Sequence, residues 1–149
     1  AENDAGCLAT GRIVSLDSEE GAPFDFREPT EIGKRLHEEN IHLKNGSGYD
    51  HNYLLKKQPD GLCARAYSRS SGILLECRTS EPGMQLYTGN FLSTSNIVGK
   101  GGKSYADRAG FCLETQHYPN AMEHPEFPSV VLPAGELYDT TTEYHISLL

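Results

Sequence analysis

The sequence predicts an all-β protein, a sandwich or barrel of antiparallel strands, and three observations lead there. Short alternating or apolar runs recur at close intervals along the whole chain. Gly, Pro, Asn and Ser punctuate nearly every run, which makes the connections turns rather than crossover helices. Only one stretch has helical spacing, so the strand–helix alternation of a parallel sheet is missing.

The first strand-like run covers residues 11–16. The helical stretch follows at residues 30–39, where Thr30 is placed to cap, Ile32 and Leu36 fall one turn apart, and Asn40 stands where a helix would stop. A strand is expected at 53–55. Residues 62–68 and 73–79 form the clearest hairpin, because Ser68-Arg69-Ser70-Ser71-Gly72 between them is a Ser/Gly loop of hairpin length. A Pro82-Gly83 turn then opens a strand at 84–90, whose alternation puts Gln85, Tyr87 and Gly89 on one face. Gly89 inside a strand predicts a bulge or a close approach by a ligand or backbone. The remaining strands are expected at 109–116, 129–132 and 143–148.

Within 109–116, Phe111-Cys112-Leu113-Glu114-Thr115-Gln116 plants a carboxylate in an apolar run. Strand alternation places Glu114 and Gln116 on one face and Phe111, Leu113 and Thr115 on the other. A carboxylate buried there is either an ion-paired structural group or a base tuned for proton transfer.

Composition narrows the function classes. A formal net charge of −8, with no long Lys/Arg run, argues against a nucleic-acid or acidic-membrane partner. No stretch approaches the roughly 20 apolar residues of a membrane helix, and residues 1–6 have neither the basic start nor the apolar body of a signal peptide. Cys7, Cys63, Cys77 and Cys112 form no CxxC pair, and three lie in apolar strand-like runs. Buried free thiols and a reducing, cytoplasmic compartment are expected.

The remaining motifs have bland readings beside the chemical ones. Gly99-Lys100-Gly101-Gly102-Lys103-Ser104 imitates the end of a phosphate-binding loop, but Ile97 stands where its first glycine belongs. A flexible basic surface loop is the better reading. The six histidines show no HxxxH or HxH spacing, so no metal is expected, although His117, Glu123 and His124 lie close in sequence. Gly48-Tyr49-Asp50-His51-Asn52-Tyr53 sets an acid, an imidazole and an amide between aromatics. Such a group holds sugar hydroxyls while tyrosine rings cover the apolar side of the pyranose. It also fits a polar turn in which Asp50 or Asn52 bonds its own backbone. Both readings stand on the residues alone, and Gln85 likewise fits a satisfied structural amide.

Taken in order and spacing, Gly48-Tyr49-Asp50-His51-Asn52-Tyr53, Pro82-Gly83-Met84-Gln85-Leu86-Tyr87-Thr88-Gly89-Asn90-Phe91 and Gly110-Phe111-Cys112-Leu113-Glu114-Thr115-Gln116 strongly resemble the galactose mutarotase (aldose 1-epimerase) family. Thr10-Gly11, Pro23-Phe24-Asp25-Phe26-Arg27, His124-Pro125-Glu126-Phe127-Pro128-Ser129 and Pro133-Ala134-Gly135-Glu136 extend the resemblance over essentially the whole chain. It implies a large antiparallel β-sandwich, the supersandwich of that family. Residues 1–149 would be the C-terminal part of a single domain whose N-terminal half is absent.

The resemblance further implies an aldose 1-epimerase acting on galactose or glucose, with Glu114 as catalytic base and Asp50 and Gln85 as sugar-binding residues. No cofactor is implied. The family takes its acid histidine from the N-terminal half, a partner this chain would need; His51 and His117 are the local stand-ins. Two rivals are a non-catalytic sugar-binding or regulatory module on the same scaffold and a relative acting on a phosphorylated hexose. The last would need a basic cluster in the cleft, for which Arg65, Arg69, Arg78, Lys100 and Lys103 are available.

Overall fold

A computed structural model describes residues 1–95 and 98–149; Ile97, the residue that breaks the phosphate-loop pattern, lies outside them. Six strands make two antiparallel three-stranded sheets. The first sheet orders β1 (Asp50–Leu54), β4 (Gly83–Tyr87) and β5 (Cys112–Gln116) side by side. The second orders β2 (Leu62–Tyr67), β3 (Ile73–Thr79) and β6 (Thr142–Leu148). β2 and β3 are the expected hairpin, closed by Ser68 N–H donating to Ile73 O. The register slips once between Leu62 and Ala64, leaving Cys63 as the bulged residue.

The first sheet has two unlike faces. His51, Tyr53, Met84, Leu86, Leu113 and Thr115 point one way. Phe24, Leu36, Leu43, Tyr49 and Leu86 form a buried core on that side, with Leu16, Phe26, Ile32, Tyr53 and Leu113 packed around it. The segment before β1 thus serves as the lid of this core. Two tyrosines fasten it, with Tyr49 donating to Pro23 O at 2.8 Å and Tyr53 to Phe24 O at 3.0 Å.

The expected helix at 30–39 is absent. Its backbone bonds run Glu31 to Lys34, Gly33 to Leu36 and Arg35 to Glu38, three residues apart, so the segment is a series of turns. Gly33 lowers the cost of leaving the helix, and Arg35 is pulled aside to donate to Ala22 O and Asp25 O. Asn40 starts a helix instead of ending one. Its side chain accepts from His42 and Leu43 N–H and caps α1 (Ile41–Asn45).

Residues 11–16 and 129–132 are also not strands. The first touches the opening residues only at Arg12, whose O accepts from Glu2 N–H and whose guanidinium lies between Glu2 and Glu20. The second is exposed and has no strand partner among the described residues. β4 stops at Tyr87 because Gly89 is left-handed at φ +64° and sits against Gly110 O, 2.8 Å from where a Cβ would stand. The close approach expected of Gly89 is therefore present, just beyond the strand.

The loop at 99–104 is a tight turn, with Gly99 N–H on Lys103 O at 2.8 Å. Only Cys77 among the thiols is fully buried; Cys63 is half-buried, and Cys7 and Cys112 are exposed, although all four are unpaired. The expectation of buried thiols fails at Cys112 because the face of β5 that carries it is left open. No helix among the described residues is long and apolar enough to cross a membrane.

Candidate functional site

Register alone assembles the open face of the first sheet. Asn52 lies opposite Gln85 and Gln85 opposite Glu114, while Asp50 pairs with Tyr87, Gly83 with Gln116 and Tyr87 with Cys112. Side chains on directly paired residues stand about 5 Å apart at Cβ. Asp50, Gln85 and Glu114, which sequence reasoning singled out from three separate stretches, are thereby brought onto one surface. Gln85 Nε2 donates to Asp50 Oδ1 at 2.6 Å, a short charge-assisted bond. Asp50 bonds a neighbouring strand rather than its own turn. Cys112 adjoins Glu114; burial and then the Glu114 charge push its thiol above the usual range.

Glu114 itself is exposed, against the expectation of a buried carboxylate. The reason is geometric: β5 is the outer strand of its sheet, and the face that carries Cys112 and Glu114 is exposed. An open depression beside it runs along Gly110, Phe111 and Cys112 to Leu75 and Tyr144. Tyr144 reaches across from β6 and donates to Leu113 O at 2.5 Å.

The aromatics expected to cover a sugar ring do not stand on this face. Tyr49 is fully buried and Tyr53 points to the core, so Tyr87 is the aromatic beside Asp50. The two stand-in histidines are also elsewhere. His51 alternates with Asp50 and packs edge-on against Phe24, its Nδ1 accepting from Asp50 N–H at 3.0 Å. Burial pushes the ring down to about 3. His117 lies with Nδ1 2.8 Å from Glu81 Oε2, and Tyr138 donates to the other oxygen of Glu81 at 2.6 Å. Burial raises the Glu81 carboxyl, but bonds from Tyr138 and Thr140 and the nearby His117 outweigh it and leave it below the ordinary value.

His117, Glu123 and His124 do not converge; His124 faces Ala9 O and Glu126. Among the described residues the three such groups that do converge are Glu2, Glu20 and His42, a set no sequence spacing revealed. The Arg12 guanidinium bridges both carboxylates, so a protein cation already occupies that position. Arg65 and Arg78 are paired with Glu76 on the second sheet, away from the open face. Asn52 and Gln116 join the open face as further amides, and strand alternation from Asp50 and Glu114 is the signal that finds them.

The fold and this surface define an antiparallel β-sheet protein with an open face of carboxylates and amides, a donor and acceptor set suited to a polyhydroxylated ligand. The aldose 1-epimerase profile matches residues 2–145. The chain is 42% identical over 146 residues to galactose mutarotase of Homo sapiens, covering 97% of this chain and 40% of that protein. It is 35% identical over 133 residues to aldose 1-epimerase of Escherichia coli strain K12, covering 87% of this chain and 38% of that one. A crystal structure of a GalM/aldose epimerase homologue from C. elegans superposes with a TM-score of 0.83 at 27% identity, over 99% of this chain and 42% of that chain. The chain belongs to the aldose 1-epimerase family. It spans about 40% of the length of the relatives it matches.

Proposed function

We propose that this chain is the sugar-cleft portion of a mutarotase that interconverts the α and β anomers of galactose or glucose. The observation that carries the reading is the convergence of Asp50, Gln85 and Glu114 on one sheet face in a member of this family. Opening the ring requires a base to take the C1 hydroxyl proton and an acid to protonate the ring oxygen. Rotation about C1–C2 in the aldehyde and closure on the other face complete the exchange.

Glu114 is the base, open to a ligand on the outer strand. Asp50 and Gln85 receive and donate hydrogen bonds to ring hydroxyls. The acid is a histidine of an N-terminal half that packs over the open face, because His51 is buried on the opposite face and His117 is engaged by Glu81. The same half would exclude water around Glu114 and raise its affinity for a proton. The four unpaired cysteines fit a reducing compartment, the cytoplasm.

Glu114→Gln in this chain joined to its N-terminal half tests the assignment. The amide keeps the shape and cannot take a proton, so polarimetric mutarotation of α-galactose should slow by roughly 10²–10⁴-fold with sugar binding retained. A rate within a factor of about two of wild type refutes it.

The second reading, a sugar-binding module without turnover, draws on the lack of an acid histidine on the open face among the described residues. Galactose binding without mutarotation by the joined protein would select it. Of the basic residues available to a hexose-phosphate substrate, Arg65 and Arg78 are engaged by Glu76 on the other sheet.

A further inference from the structure

The amides around Asp50 have one consistent orientation, and it is set by residues outside those assigned to the sugar. An ionised carboxylate only accepts hydrogen bonds. The Gln85 group 2.6 Å from Asp50 Oδ1 is therefore its NH2, which turns Gln85 Oε1 towards β5. Gln116 Nε2 stands 3.4 Å from that oxygen and 3.4 Å from Asn52 Oδ1. One NH2 group thus serves two acceptors with its two protons. Asn52 is only 2% exposed; its Oδ1 accepts from Gln116, while its buried Nδ2 has no partner among the described residues. Gly83 makes the space: a Cβ there would stand 2.9 Å from both Asn52 amide atoms. If Gln85 turned over, its oxygen would face the Asp50 carboxylate at hydrogen-bond range and repel it.

We propose that Gln116 is a positioning residue for the epimerase: held by Asn52, it fixes the Gln85 amide with NH2 towards Asp50. Asp50 then keeps its second oxygen, and Gln85 its second proton, for sugar hydroxyls. This inference rests on the sugar-cleft reading of the same face.

The test measures kcat and KM for mutarotation in this chain joined to its N-terminal half. Gln116→Ala should lower kcat/KM about 3- to 10-fold, the scale of one neutral hydrogen bond, and chiefly by raising KM. On a Gln85→Ala background the same substitution should change kcat/KM less than about twofold, because its route to the sugar is gone. Gln116→Glu should lose more than Gln116→Ala near neutral pH, since a carboxylate cannot donate to Gln85 Oε1. Its activity relative to wild type should recover as pH falls into the carboxyl range, around 4 to 5, where the introduced group regains a proton.

Additive losses in the double variant, or Gln116→Ala and Gln116→Glu both near wild type, overturn the proposal. Should Gln116→Ala fail to fold, Gln116→Met, which keeps the side chain's length and removes the donor, replaces it in the same comparison with Gln85→Ala. An inactive wild-type protein overturns the epimerase reading and this inference together. An active wild type with additive losses overturns this inference alone.

Discussion

His51 should make the fold acid-sensitive in a defined window. In the folded chain burial holds its ring at about 3, whereas an unfolded histidine titrates near 6.5. Between those values the unfolded state binds more protons, so stability is complete above about 6.5 and falls as pH drops towards 3. For one such group the loss between about pH 7.5 and about pH 5 comes to roughly 2 kcal/mol.

The reason lies in the packing. Nδ1 accepts from Asp50 N–H, Nε2 has no partner, and Phe24 lies edge-on at a centroid distance of 4.6 Å, so a second ring proton would be buried without an acceptor. His51→Gln retains an acceptor for Asp50 and removes the titration. Urea unfolding at the two pH values should show wild type losing about 2 kcal/mol more than the variant. Equal losses would refute the argument, as would a His51 ring resonance titrating near 6.5 in the folded protein.

Three further outcomes are expected. Asp50→Ala should raise KM for galactose and reduce turnover, because Gln85 loses its charged partner as well as the sugar losing an acceptor; kinetics unchanged in both parameters would count against the assignment. Asn90→Ala should cost about 2–3 kcal/mol in urea unfolding, since Gly46 O is left buried without the Asn90 Nδ2 donor at 2.8 Å while Tyr49 O keeps Thr88; a cost under about 0.5 kcal/mol would show that water replaces the amide. Tyr138→Phe should lift the Glu81 carboxyl by removing the donor at 2.6 Å, seen by carboxyl carbon NMR titration, and no upward movement would discount that bond.

Much of the strand content was legible because it rests on local signals. The 73–79 run coincides with β3, and the Ser/Gly loop at Ser68 to Gly72 identified its hairpin partner. The misplaced helix shows where local signals stop. Ile32 and Leu36 do enter the core, as their spacing suggested, but Arg35 is drawn to two backbone carbonyls and Asn40 caps the next segment. These are tertiary choices. Asp50, Gln85 and Glu114 could be nominated from the sequence, but their shared face depends on β4 lying between β1 and β5. Composition cannot show that Tyr49 and Tyr53 turn to the core or that Glu114 stays open.

The β2–β3 hairpin leaves the first sheet after β1 and returns before β4, so thirty-five positions of chain separate Asp50 from the Gln85 that bonds it. Its tip at Arg69, Ser70 and Ser71 is exposed. A fluorophore or affinity handle inserted there would sit at a loop tip of the other sheet, where insertions are best tolerated, and could report on the molecule without altering the strand pairing that sets Asp50, Gln85 and Glu114 on one face.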